Sequence, residues 1–132
     1  MPELQRAAHT VAAEVGARLI VLFGSAARGD ARAPEDLDIG VLSRAPVDSI
    51  AVTNRFMQLL HVSEIDVADL RRADPVLLMM VARDGLPLFE EQPGEMMRFR
   101  SLAIRRFADT KKFRDAERDA LRAAIARNRE RA

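Results

Sequence analysis

Apolar residues recur along the chain at two spacings, and the switches between them divide it into helices and strands. Leu4, Ala8, Val11, Ala12 and Val15 lie three and four residues apart and predict a first helix, with Pro2 tolerated in its first turn and Gly16 ending it. The run Leu19 to Phe23 predicts a strand from Arg18 to Phe23 buried on both faces. A short helix over Ala26 to Gly29 and a loop from Asp30 to Glu35, where Pro34 prevents continuation, lead to a second strand from Leu37 to Leu42. Asp48 is placed to cap a third helix. Val47 is set to staple against Val52, and Val52, Phe56, Leu59 and Leu60 form its apolar stripe up to about His61.

Glu64 to Leu70 predicts a third strand, with Ile65 and Val67 on one face and Glu64, Asp66 and Ala68 on the other. Asp74-Pro75 is a cap followed by a proline at the first helical position. The buried helix Val76 to Arg83 that follows has Met79 and Met80 in the core and ends at Gly85. Leu86 to Phe89 is a short strand confined to a sheet edge, because Pro87 has no N–H to donate. After the break Gln92-Pro93-Gly94, Met96, Phe99, Ala103 and Phe107, then Phe113, Ala116, Ala120 and Ala124, keep a helical period. Asp109-Thr110 interrupts it, and the Arg- and Ala-rich end is expected to fray. The pattern predicts an α/β (α+β) domain: a small mixed sheet flanked by helices over residues 1–91, with a C-terminal helical extension over 92–132 in the same domain.

The candidate chemistry is concentrated between residues 17 and 41. Gly24-Ser25 ends the first strand, where a chain turning into a helix points backbone N–H groups at an anion. Ten residues later comes Asp36-Leu37-Asp38. Alternate strand residues share a face, so both carboxylates project the same way with Cα atoms roughly 6.5 Å apart. Such a pair repels unless a cation lies between, and a hard divalent ion with oxygen ligands resolves the repulsion. A phosphate turn beside a magnesium site suits phosphoryl or nucleotidyl transfer. Asp66 is a third strand carboxylate; Glu64 and Asp69 compete with it, but only Asp66 has apolar neighbours on both sides. Arg28 is available for phosphate or for a surface pair with Asp30. His9 and His61 have no metal-ligand spacing to another His or Cys.

Composition adds limits. The chain has 132 residues, enough for one domain with a core, and no cysteine, so disulfides and thiolate metal sites are excluded. No apolar run approaches the ~20 residues of a membrane span, and the N-terminus lacks a signal-peptide core, so a soluble cytoplasmic protein is expected. The net charge of +1 is unevenly spread: residues 1–94 carry nine Lys/Arg against fourteen Asp/Glu, residues 95–132 twelve against six. The basic tail, with Lys111, Lys112 and Arg114, suits an acidic partner or RNA, or is the solvated face of an amphipathic helix.

Gly24-Ser25, the ten-residue interval, Asp36-Leu37-Asp38 and the later Asp66 resemble the nucleotidyltransferase superfamily that includes DNA polymerase beta. The small size is similar to the minimal nucleotidyltransferase (MNT) group, many of whose members are antitoxins paired with HEPN-domain RNase toxins. The resemblance implies that Gly24 and Ser25 hold the β- and γ-phosphates of ATP and that Arg28 neutralises phosphate charge. It implies that Asp36 and Asp38 bind Mg²⁺, while Asp66 completes a second metal position or acts as base. Ala26 and Glu35 depart from the family's frequent residues. The implied activity is transfer of AMP from ATP-Mg²⁺ to a tyrosine hydroxyl of a HEPN toxin in a hetero-oligomer, with no direct role for nucleic acid. Alternatives are a small-molecule (aminoglycoside-like) nucleotidyltransferase and a non-catalytic toxin-binding antitoxin. A template-directed polymerase is not expected, because the duplex-gripping domains are missing.

Overall fold

The computed structural model describes residues 2–29 and 36–131. The expected loop from Asp30 to Glu35, with Pro34, lies outside them. Helix α1 (Pro2–Val15) leads through Gly16 into β1 (Ala17–Phe23), and α2 (Gly24–Arg28) follows without a gap. Then come β2 (Asp36–Ser43), α3 (Ser49–Leu60), β3 (Glu64–Asp69), α4 (Pro75–Asp84) and β4 (Leu86–Glu90). Helices α5 (Glu95–Asp109) and α6 (Lys111–Glu130) complete the chain, separated only by Thr110. No described helix is long and apolar enough to cross a membrane.

The four strands form one mixed sheet in the order β3-β2-β1-β4. β1 runs antiparallel to β2 and β4, while β2 and β3, joined through α3, are parallel. β4 is the predicted edge strand. Its Pro87 pairs with Val21 beside a register shift, which is where a residue without an N–H is tolerated.

Alternating residues of β1 supply two cores. Ile20 and Leu22 join Val11, Ile39, Val52 and Phe56 beneath α1 and α3, whereas Leu19, Val21 and Phe23 join Leu70, Leu78, Val81, Met96 and Phe99 beneath α4 and α5. A strand covered on both faces must be apolar at every position, which explains the unbroken run in the sequence. The caps are as expected: Asp48 accepts from Ala51 N at 3.1 Å and Asp74 from Leu77 N at 2.9 Å.

Three expectations are corrected. α2 begins at Gly24 rather than Ala26, because Gly24 takes a left-handed φ of 73° and turns the chain at once. Gly85 ends α4 as expected, in extended backbone (φ −69°, ψ 144°), and a Cβ there would collide with Val81 O and come 2.5 Å from Val21 Cγ1. Met80 is exposed and Met79 half-buried, since Leu78, Val81 and Ala82 occupy the one face of α4 that meets the sheet and α5. The chain end stays helical to Glu130, although α6 buries none of its residues.

Candidate functional site

Parallel pairing sets Asp36 opposite Glu64 and Asp38 opposite Asp66. Directly paired residues share a sheet face, with strands about 4.8 Å apart, so four carboxylates gather on one patch. Their apolar neighbours Leu37, Ile39, Ile65 and Val67 point the other way, into the core under α1 and α3. Asp38 is half-buried, whereas Asp36, Glu64 and Asp66 are exposed. Asp69, the remaining carboxylate of β3, is committed to the turn behind the strand, accepting from Arg71 N at 3.0 Å and Val47 N at 3.4 Å.

The phosphate-binding candidates approach from the neighbouring strand. Antiparallel pairing places Phe23 opposite Asp38, so Gly24 is delivered beside the Asp38 side chain. A Cβ on Gly24 would collide with Asp38 Oδ2 and lie 3.2 Å from its Cγ. Position 24 therefore needs glycine twice over, for its positive φ and for the space the carboxylate occupies. Phe23 offers α2 no side-chain cap, leaving the first amides of the turn without a local side-chain acceptor. The sequence motif and the third carboxylate are thus brought to one place.

Electrostatics tie the group together. Asp38 is held above the ordinary aspartate value of 3.8, first by burial and then by the charges of Asp66 and Asp36, with Arg28 pulling the other way. Arg28 closes α2 and reaches Asp84 at the end of α4, Nη1 to Oδ2 at 3.7 Å. The expected partner Asp30 lies outside the described residues. Asp84 has no counterpart in the sequence reading; its signal was an acidic residue in the last turn of a helix, where the dipole disfavours negative charge. The two histidines are structural: His9 meets the Phe89 ring edge-on at 5.0 Å between centroids, and His61 ends α3 in left-handed backbone.

The donor set is chemically right for Mg²⁺, being all carboxylate oxygen around a half-buried Asp38 that Asp36 and Asp66 repel. Among the described residues no three His, Cys, Asp or Glu side chains converge as a ready-made metal cage. Mg²⁺ characteristically takes one or two carboxylates and completes its shell with waters and substrate phosphate, so the patch fits an ion that arrives with a nucleotide.

The same elements carry the relationship to known proteins. The family model for polymerase beta nucleotidyltransferases matches residues 6–94, more than half of the chain. The chain belongs to the polymerase beta nucleotidyltransferase family. The match contains the Gly24 turn and all three aspartates. A protein adenylyltransferase MntA from Shewanella oneidensis is 32% identical over 90 residues, covering 66% of this chain and 65% of that relative. The matched part thus spans just under two thirds of the relative's length. A toxin-antitoxin crystal structure with AMP-PNP contains a chain that superposes with a TM-score of 0.77 at 25% identity, covering 89% of this chain and 97% of that one. A structure of tri-AMPylated Shewanella oneidensis HEPN toxin with MNT antitoxin matches at 29% identity and a TM-score of 0.64, over 80% and 82% of the two chains.

Proposed function

We propose that this nucleotidyltransferase moves AMP from ATP-Mg²⁺ to a tyrosine hydroxyl of a HEPN-domain toxin and thereby acts as its antitoxin in a hetero-oligomer. The observation that carries this reading is the Asp38–Asp66 register pair facing the Gly24 turn. It provides adjacent places for charge-neutralised phosphate and for an attacking hydroxyl. The kinship with protein adenylyltransferases and with chains from toxin-antitoxin complexes supports a protein acceptor over a small molecule.

In the reaction the hydroxyl oxygen attacks the α-phosphorus of ATP, a new P–O bond forms, and the bond to the β-phosphate bridging oxygen breaks to release pyrophosphate. Gly24 and Ser25 amides and Arg28 hold the β- and γ-phosphates, fixing the leaving group in line. Asp36, Asp38 and Asp66 would hold Mg²⁺, which when bound offsets phosphate charge and polarises the reacting oxygens. Asp66, the exposed member of its pair with Asp38, takes the proton of the attacking hydroxyl. The step needs positioning and charge stabilisation more than a protein nucleophile, consistent with the absence of cysteine.

The test is incubation with labelled ATP, Mg²⁺ and the HEPN protein encoded beside this chain. Label should pass to that protein, and Asp36→Ala with Asp38→Ala should abolish transfer. Label transfer that survives both changes would overturn the mechanism.

A further inference from the structure

We propose that Asp84 is a positioning residue that holds Arg28 toward the nucleotide's phosphates; the inference rests on the nucleotidyl-transfer reading above. Three observations converge on it. Asp84 stands in the last turn of α4, where a negative charge opposes the helix dipole and aspartate is a poor helix former. A residue that works against its own element is expected where it serves another purpose.

The turn bearing Asp84 is also anchored. Arg100 donates from Nε to Ala82 O at 3.0 Å and from Nη2 to Gly85 O at 3.3 Å, and Gly85 lets the backbone close against Val21. Arg28, by contrast, ends a helix of only five residues, and its side chain is more exposed than that of Asp84. A long, flexible guanidinium on a short helix needs an external fixed point. Asp84 Oδ2 supplies one at 3.7 Å from Arg28 Nη1, while Arg83 binds the same carboxylate at 3.0 Å. Arg28 and Arg83 thus share the Asp84 carboxylate, which ties the end of α2 to the end of α4. The influence of Arg28 on Asp38 places its charge within electrostatic reach of the aspartate patch.

Isothermal titration with AMP-PNP and Mg²⁺ tests the idea without any acceptor protein. Asp84→Asn and Arg28→Ala should each weaken binding by about tenfold, and the double variant should be no weaker than Arg28→Ala alone, because Asp84 acts only through Arg28. Asp84→Glu, with the carboxylate retained, should bind within about twofold of the parent protein. Binding by Asp84→Asn equal to the parent's, or losses that multiply in the double variant, would overturn the proposal. Failure of the parent protein itself to bind AMP-PNP would contradict the nucleotidyl-transfer reading instead.

Discussion

Gly24 and Asp38 occupy one another's space: the carboxylate lies where the side chain of any other residue at position 24 would begin. The turn motif and the Asp-x-Asp motif are therefore one steric unit. Gly24→Ala should destabilise the fold by about 1–2 kcal/mol through its left-handed backbone. The larger effect falls on Asp38, which must move. Transfer activity should drop by about 100-fold, the order expected for a displacement of ~1 Å at a reacting group. Thermal melts beside labelled-ATP assays separate the two effects, and activity lost only in proportion to unfolding would count against the steric unit.

Asp38 also makes the site pH-sensitive. Its folded-state pKa lies above the ordinary 3.8, so its ionisation is harder in the folded than in the unfolded chain. The stability associated with the neutral form is fully present below 3.8 and is lost as pH rises through the raised folded value. Asp38→Asn, which cannot ionise, should therefore melt higher than the parent protein at neutral pH without divalent ions. That advantage should vanish in acid. Adding ATP with Mg²⁺ should raise the melting temperature of the parent protein and not of the variant. Melting curves with and without chelator at several pH values check each sign.

How much of this was legible in the sequence depends on range. The caps Asp48 and Asp74, the edge position of Pro87 and the shared face of Asp36 and Asp38 are local, and local chemistry announces them. The meeting of Asp38 with Asp66 is not local. Parity in the strand pattern gives Asp66 its face, but only the parallel pairing of β2 with β3 gives it a partner. Gly85 was legible as the end of α4, but not the reason it is glycine, which is its close approach to Val21 across the core. Asp84 went unnoticed because its meaning lies in Arg28, which is 56 residues away in sequence.

Stability should follow the two-core architecture. Phe56 of α3 is fully buried in the core that α3 shares with α1 and the sheet, and Phe56→Ala should cost about 3–5 kcal/mol. Asp74→Ala removes only the cap on α4 and should cost ~1 kcal/mol. Urea titrations resolve both; a cap variant as damaging as the core variant would contradict the assignment.

Helix α6 buries no residue, and its root is held to α5 by Arg114, whose guanidinium lies 3.7 Å from the Phe107 ring centroid and donates to Phe107 O at 2.7 Å. Truncation after Asp115 keeps those contacts. It should change unfolding free energy by no more than about 0.5 kcal/mol, the scale of surface changes. A loss of several kcal/mol in urea would show that α6 packs on the domain after all.

The account depends on Asp38 and Asp66 acting together on the acceptor hydroxyl. Intact-mass measurement of the HEPN partner after incubation with ATP and Mg²⁺ tests this directly. The parent protein should add adenylate to the partner, while Asp38→Asn and Asp66→Asn, each folded, should leave its mass unchanged over the same interval. Adenylate added at the parent rate by either variant would contradict the account.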